Sequence, residues 1–219
     1  MKKLLFTALP IIILTGCASV QTTSVAYHAS DFQYQGKSYS YHELPGEGGL
    51  PYAHASSLVD AQLSKYGLTR TSENPDYTII MDCGVSDPQN STVAMPIYGQ
   101  TGVASSSSTS SYNTTGNSIY GSSNTTYTPS YGVVGAVPVT VTNYVRYFSL
   151  YIYKTSEVTG KNPEPVYGVQ TTSVGPSGNI TMVLPALIQG AFSEFPGNSG
   201  EFYHVSVSVN PKTGKPYSN

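Results

Sequence analysis

The residues that could catalyse a reaction are few and lie far apart in the sequence. His42 and Glu43 are neighbours, but a strand end followed by a loop explains this pair more simply than a catalytic site. No Gly-x-Ser-x-Gly run is present, which excludes a serine hydrolase of the nucleophile-elbow type. Glycoside hydrolysis needs two carboxylates that face each other across a cleft, and sequence alone does not place the acidic candidates relative to one another: Glu43, Glu47, Asp60, Asp82 and Glu157. We therefore expect a protein that is not an enzyme and that needs no metal or cofactor.

The composition narrows the class of protein further. The chain has 219 residues, which is typical of one domain with an insert, and only 10% of its residues are charged. A formal net charge of -2 gives no basic patch for nucleic acid. Two Cys residues exclude a disulfide scaffold, and no His/Cys cluster has the spacing of a zinc site.

Residues 1–16 have the layout of a secretory signal peptide. Lys2 and Lys3 precede an apolar run, Leu4 to Leu14, that is shorter than the roughly 20 residues a membrane-spanning helix needs. The residues at its end are similar to the lipobox of bacterial lipoproteins: Leu14, Thr15, Gly16 and Cys17. This resemblance implies a diacylglycerol on the Cys17 thiol, cleavage before Cys17 and an acyl group on the new amine. The alternative is an ordinary secreted protein whose signal contains a cysteine.

The residues after Cys17 indicate where such a lipoprotein would reside. Ala18 is not the Asp that retains lipoproteins at the inner membrane, so the resemblance implies anchoring in the bacterial outer membrane, on its periplasmic face. Residues 17–30 are small and polar and predict a tether between the lipid and the domain.

Hydrophobic periodicity predicts an α+β fold. Apolar residues recur at helical spacing over 52–66, and again over a second helix that has Pro185 in its first turn and ends at Pro196 and Gly197. Alternating patterns predict strands over 32–41, 76–86, 144–153, 166–174 and 202–209. We expect a two-layer sandwich, with about five strands and both helices on one face, formed by residues 31–86 and 139–210 and followed by a solvated tail, 211–219.

The insert at 88–138 has an unusual composition. No charged residue occurs from Pro88 to Val145, and 16 of the 26 residues from Ser105 to Ser130 are Ser or Thr. This segment has too few apolar side chains to offset the entropy of ordering the chain. We therefore expect its centre to be a low-complexity stretch that forms no core. Its flanks could pair as the legs of a long hairpin. Two interpretations of the insert stay open. It has a function, as a spacer or as a partner-binding element, or it is a decoration without a role.

The clearest strand carries a row of tyrosines. Phe148, Leu150 and Ile152 alternate with Tyr147, Tyr151 and Tyr153, so the three tyrosines share the opposite face of the strand. They predict either an aromatic face for a glycan or protein partner, or simple packing on a half-covered sheet.

Two residues near position 82 lie in another strand. Cys83 shares one face of its strand with apolar residues such as Ile79 and Met81, which predicts a buried thiol, not a catalytic one. Asp82 is expected on the solvated face or paired with a basic residue such as Arg146.

Four short segments resemble the family called domain of unknown function 4136, which comprises small bacterial lipoproteins. They are Gly36 to Tyr41 before a Leu-Pro, Leu63 to Leu68, Asn74 to Ile80, and Phe192 to Pro196. The resemblance covers roughly residues 30–86 and 144–197 and implies fold and location, but no catalytic residue.

The sequence therefore favours a lipid-anchored envelope protein that binds another envelope protein or peptidoglycan. The alternatives are a cell-wall-acting enzyme with paired carboxylates, and a surface adhesin or self-assembling component based on the uncharged insert.

Overall fold

The computed structural model describes residues 18–42, 50–159 and 163–217. It contains eight strands and two α-helices among these residues, and the second strand leads into the first helix. In chain order the elements are β1 (Ala18–His28), β2 (Ser38–Tyr41), α1 (Leu50–Leu63), β3 (Thr69–Arg70), β4 (Tyr77–Val85), β5 (Gln89–Thr115), β6 (Ser118–Lys154), β7 (Tyr167–Gly175), α2 (Ile180–Ala191) and β8 (Phe202–Val209).

One mixed sheet contains all eight strands, in the order β3-β2-β4-β6-β7-β1-β8, with β5 paired to β6. The β2–β3 and β2–β4 pairs are parallel, whereas β1, β4, β6, β7 and β8 pair antiparallel. The expectation of a five-stranded two-layer α+β sandwich is therefore wrong. The chain is mostly sheet, because segments without strong apolar alternation also form strands.

The first of these segments is residues 18–28, which the composition predicted as part of a tether. They form β1, between β7 and β8. Its fully buried side chains, Thr22, Ser24 and Ala26, are small, and the hydroxyls are hydrogen-bonded across the sheet: those of Ser24 and Thr171 are 2.8 Å apart. Thr22 lies directly beneath Gly190 of α2, where a Cβ would clash with it, so small residues here allow the helix to approach closely. A pattern without large apolar residues thus still builds a buried strand.

The core lies between the helices and one face of the sheet, called here the inner face. Buried side chains of α1 and α2 join those of β4, β6 and β7 in one cluster, whose largest members include Tyr39, Leu63, Ile79, Phe148, Leu150, Ile152, Tyr167, Leu187 and Phe192. The opposite side of the sheet is called here the outer face. The alternation read in β6 is confirmed, because Phe148, Leu150 and Ile152 are fully buried.

Helix α2 differs from the prediction at Pro185 and at its end, which is Ala191 and not Pro196 and Gly197. The helix begins at Ile180, capped by Asn179, whose side chain accepts a hydrogen bond from the Thr181 N–H at 3.1 Å. Pro185 therefore lies inside the helix and not in its first turn. A proline here deprives the Thr181 carbonyl of its helical donor, and Thr181 is exposed, so water can replace that donor.

Strand β2 is shorter than the predicted 32–41. Phe32 and Tyr34 precede it and pack with Phe195 in a cluster of aromatic rings, with ring centroids 6.2 Å and 5.1 Å from that of Phe195. Their alternation therefore reflects this cluster and not pairing in the sheet.

Residues 89–142 form a separate unit, a hairpin of β5 and the first part of β6. A two-residue turn at Gly116 and Asn117 joins the strands, and Gly116 has φ 63°, which glycine adopts at little cost. The Ser/Thr-rich centre is thus strand up to the turn.

Within the described residues, neither helix is long and apolar enough to cross a membrane.

Candidate functional site

The three predicted tyrosines lie on the outer face of the sheet. Tyr147, Tyr151 and Tyr153 are each half-buried, on the side of β6 opposite its core residues. This placement agrees with the alternation of the strand, but the three side chains have different surroundings.

Two of these tyrosine rings lie over glycines of neighbouring strands. The nearest Tyr151 ring atom is 2.9 Å from where a Cβ of Gly168 would be, and the Tyr147 ring lies equally close to Gly84. Each glycine leaves the space that its neighbouring ring occupies, an arrangement that also protects the glycine backbone. Tyr147 and Tyr151 are therefore held flat along the sheet.

A groove of about 510 Å³ lies beside Tyr151 on the outer face. The register places Tyr27, Gly168 and Tyr151 in one row across β1, β7 and β6. Neighbouring strands are about 4.8 Å apart, so the two tyrosine backbones are separated by about 10 Å, with glycine between them. The groove thus has a glycine floor and a tyrosine on either side.

Polar groups of the groove come from β7, from the end of β1 and from a loop. The Gln170 amide donates a hydrogen bond to the Tyr151 hydroxyl at 2.6 Å. His28 and Ser199 also line the groove, and the two ring nitrogens of His28 lie 3.1 Å and 3.2 Å from the carbonyl oxygens of Ala29 and Gly197. None of its nine lining residues is Asp, Glu, Lys or Arg. The groove therefore offers aromatic faces, an amide and a hydroxyl, with no carboxylate, Lys or Arg in its lining.

Tyr147 and Tyr153 do not line this groove. Burial, and then the neighbouring Tyr151, raise the pKa of Tyr153 above its usual range. The sequence identified one of the groove residues, Tyr151, and missed Tyr27 and Gln170. Tyr27 lay in the predicted tether, and only the β1–β7–β6 register brings it opposite Tyr151.

The carboxylates considered for catalysis do not form a pair among the described residues. Asp82 stands opposite Ser149 in the sheet, whereas Arg146 stands opposite Val85 and points to the inner face. The suggested Asp82–Arg146 pair is therefore wrong, because an odd separation along a strand puts side chains on opposite faces. Glu43 and Glu47 lie outside the described residues, as does one half of the His42–Glu43 pair.

Arg146 is instead a buried cation that bonds only to neutral groups among the described residues. It is 5% exposed, and its guanidinium donates to the Ser173 carbonyl and hydroxyl and to the Ser177 carbonyl. Burial lowers the pKa of Arg146. No ion pair to Arg146 occurs in the described part of the chain.

Asp60 forms a polar cluster that the sequence did not indicate. Its carboxylate accepts hydrogen bonds from the hydroxyls of Tyr39 and Tyr41, both at 2.7 Å, and pairs with Arg70 at 3.0 Å. Burial first, and the Asp60 carboxylate second, raise the pKa of both tyrosines well above the usual range. Both hydroxyls therefore remain donors, and the cluster fastens α1 to β2 and is unsuited to proton transfer at neutral pH.

The remaining predicted site residues have different outcomes. Leu14, Thr15, Gly16 and Cys17 lie outside the described residues. Cys83 packs against the core but is half-buried, not fully buried as expected. No group of three His, Cys, Asp or Glu residues suited to a metal occurs in the part of the chain that the structure describes.

Comparison with solved structures gives only weak likenesses. A PDZ domain protein from Parabacteroides distasonis is 12% identical with a TM-score of 0.46, over 88% of this chain and 40% of that chain. The chain thus spans less than half the length of that protein. A PelC variant dodecamer from Paraburkholderia phytofirmans is 13% identical with a TM-score of 0.36, over 81% of this chain and 99% of that chain. Both likenesses are too weak to indicate a shared fold or function.

No curated protein matches the chain. A family model described as domain of unknown function, DUF4136, matches residues 23–197, which include β4, β7, α2 and most of β1. The match covers well over half of the sequence and agrees with the resemblance carried by the four short segments. The chain belongs to the DUF4136 family.

Proposed function

We propose that this protein is a lipid-anchored cell-envelope protein whose domain binds an uncharged glycan, such as the sugar backbone of peptidoglycan, in the groove beside Tyr151. The observation that supports this proposal is the groove itself, with Tyr27 and Tyr151 on either side of Gly168. Sugar rings present C–H faces that pack on aromatic rings, and hydroxyls that bond to amides. A lining without Asp, Glu, Lys or Arg suits a neutral, hydroxyl-rich ligand better than a strongly ionic one.

The anchor in this proposal is the acylated thiol of Cys17. Its support is the sequence of the signal-like segment, with Lys2 and Lys3 ahead of an apolar run that ends in Leu-Thr-Gly-Cys. Several acyl chains, each stabilised by about 0.8 kcal/mol per buried CH₂, would hold the protein at a membrane without a spanning helix. The anchored membrane would be the bacterial outer membrane.

The position of β1 gives this arrangement a definite geometry. Because β1 starts at Ala18, no flexible residues would separate the lipid from the sheet. Tyr27 lies nine residues after Ala18 along the strand, so the groove would stand about 30 Å from the anchored end of β1. The strand then replaces the tether as a spacer, and it is a rigid one.

Binding is tested with soluble N-acetylglucosamine oligomers as the probe. Tyr27→Ala removes a groove wall from an exposed position, and we expect about tenfold weaker binding, equivalent to about 1.4 kcal/mol. Gln170→Leu, which removes the amide but keeps the bulk, should also weaken binding. Tyr153→Ala is the matched control, because this tyrosine shares the strand face but does not line the groove. Equal effects of Tyr27→Ala and Tyr153→Ala, or no measurable binding, would refute the glycan proposal.

Anchoring is tested separately with Cys17→Ser. The native chain should fractionate with membranes and incorporate labelled palmitate, and the variant should be soluble or remain an unprocessed precursor. If the variant still fractionates with membranes and is processed normally, the anchoring proposal fails, whatever the outcome for the groove.

A further inference from the structure

The hairpin of residues 89–142 lacks what usually stabilises a pair of strands. Strand β5 alone has 27 residues, about 90 Å of extended chain. Nearly every side chain on it is exposed, including Tyr98 and Tyr112 at 73% and 74%. A two-stranded hairpin without a packed face is marginal in water. It needs further strands or a covering element.

Its two outer edges are also unguarded over long stretches. An edge strand offers a row of unpaired N–H and C=O groups, which proteins normally protect with charged residues or proline. The hairpin contains no charged residue, and no proline occurs between Ile97 and Thr128. Both edges can therefore accept another strand over this length.

Side chains along the hairpin are suited to pairing with their own kind. Hydroxyls bond in pairs across the two strands, with Ser108 and Thr125 at 2.8 Å and Ser111 and Ser122 at 3.0 Å. Such hydroxyl rows can continue onto a further strand, because Ser and Thr both donate and accept.

The absence of charge indicates which partner fits. A charged edge pairs poorly with its own copy, because like charges meet, whereas an uncharged edge is complementary to itself. A charged partner would find no counter-charge here. Lipid tails are also a poor match, since hydroxyl side chains dominate the centre of the hairpin.

We propose that this hairpin is a self-assembly element, whose β5 and β6 edges pair with the hairpins of other copies of this chain. Each copy has two such edges, so pairing at one edge leaves the other free for a third copy. The assembly therefore grows beyond a dimer, into a closed ring or a fibre.

Proline substitutions at the edge of β5 test this proposal. Because the two-residue turn makes Thr115 and Ser118 a hydrogen-bonded pair, the even-numbered residues of β5 near the turn direct their N–H groups outward. Ser106→Pro together with Ser110→Pro removes two outward donors and leaves the bonds within the hairpin in place. Ser106→Ala with Ser110→Ala is the matched control.

The readout is the mass distribution of the full processed chain in detergent, by mass photometry and sedimentation velocity. We expect native protein and the alanine control to form species larger than dimers in a concentration-dependent way. The proline variant should shift to dimers or monomers, because one edge is blocked. A native chain that stays monomeric at the highest attainable concentration would overturn the proposal, and so would a proline variant that assembles like the control.

Two further variants separate edge pairing from association through tyrosine faces and from misfolding of the hairpin. Ser106→Lys with Ser110→Lys keeps the backbone donors but places charge along the edge, and it should assemble less at low salt and recover at high salt. Tyr98→Ser with Tyr112→Ser leaves both edges intact and should still assemble. Loss of assembly in the tyrosine variant, with the lysine variant unaffected at any salt, would refute edge pairing.

Discussion

Replacement of Asp60 by Ala should destabilise the domain by about 3–4 kcal/mol, a value that follows from its three partners. The carboxylate accepts from Tyr39 and Tyr41, both at 2.7 Å, and a hydrogen bond to a charged group contributes about 1.5–3 kcal/mol. Tyr41 keeps part of its hydrogen bonding through the Ser56 carbonyl at 3.2 Å, so its loss is smaller. The pair with Arg70, whose side chain is 54% exposed, adds only about 0.5 kcal/mol.

A double-mutant cycle isolates the largest of these contacts. Tyr39 is 1% exposed, so Asp60→Ala leaves a buried hydroxyl without this acceptor, whereas Asp60→Ala combined with Tyr39→Phe removes both partners. We expect a coupling free energy of about 1.5–2 kcal/mol. Asp60→Asn, which keeps the shape and one acceptor oxygen, should cost about half as much as the alanine variant.

The assay is urea denaturation at pH 7 followed by circular dichroism, on chains that carry Cys17→Ser and at concentrations where the protein is monomeric. The slope of the unfolding free energy against urea should stay constant across the series. A loss below about 1 kcal/mol for Asp60→Ala, or coupling near zero with Tyr39, would mean that the cluster does not fasten α1 to β2.

Three further outcomes are expected. The backbone N–H of Ser38, then Lys37 and the Ser38 hydroxyl, lower the pKa of Asp76 to about 2, so Asp76 contributes stability above pH 4 that is lost as the pH falls toward 2. Since this carboxyl is well exposed, the loss in acid denaturation should be about 1 kcal/mol or less, and Asp76→Asn should remove it. Burial raises the pKa of Tyr203 to about 12, so the free energy of unfolding should fall by about 1–2 kcal/mol as the pH rises from 10 to 12. Tyr203→Phe should show a smaller fall, and a variant with the same pH profile as the native chain would contradict this cause. Arg146→Ala should lower the free energy of unfolding by about 2–4 kcal/mol and Arg146→Met by about 1 kcal/mol, because methionine fills the space without a buried charge. Equal melting temperatures of the two variants in thermal denaturation would show that the hydrogen bonds to the serines dominate.

The groove illustrates why a candidate site is only partly readable from a sequence. Alternation in β6 fixed the face of Tyr151 correctly, since side chains in a strand point to opposite faces in turn. Tyr27 and Gln170 lie on other strands, and their distance from Tyr151 depends on strand order and register. The same holds for Asp60 of α1 and Tyr39 of β2, whose hydrogen bond depends on how the helix packs against the strand.

The sequence by itself determined the local features of this protein. Apolar periodicity predicted both helices. After α1 a 3-10 turn, Ser64–Tyr66, completes the predicted segment 52–66, and Gly67 ends it with φ 83°, in the left-handed region that glycine adopts readily. The sequence also showed the charge-free insert and the signal-like segment, because composition and short motifs carry that information, but it did not predict that the centre of the insert forms strands up to the turn. Tertiary structure decided that residues 18–28 form an interior strand and that Pro185 lies within α2. These outcomes depend on what packs against each segment. Small side chains such as Thr22, beneath Gly190, let β1 lie under α2 although no strong hydrophobic alternation predicts a strand. The exposed position of Thr181 lets water replace the hydrogen bond that Pro185 cannot donate.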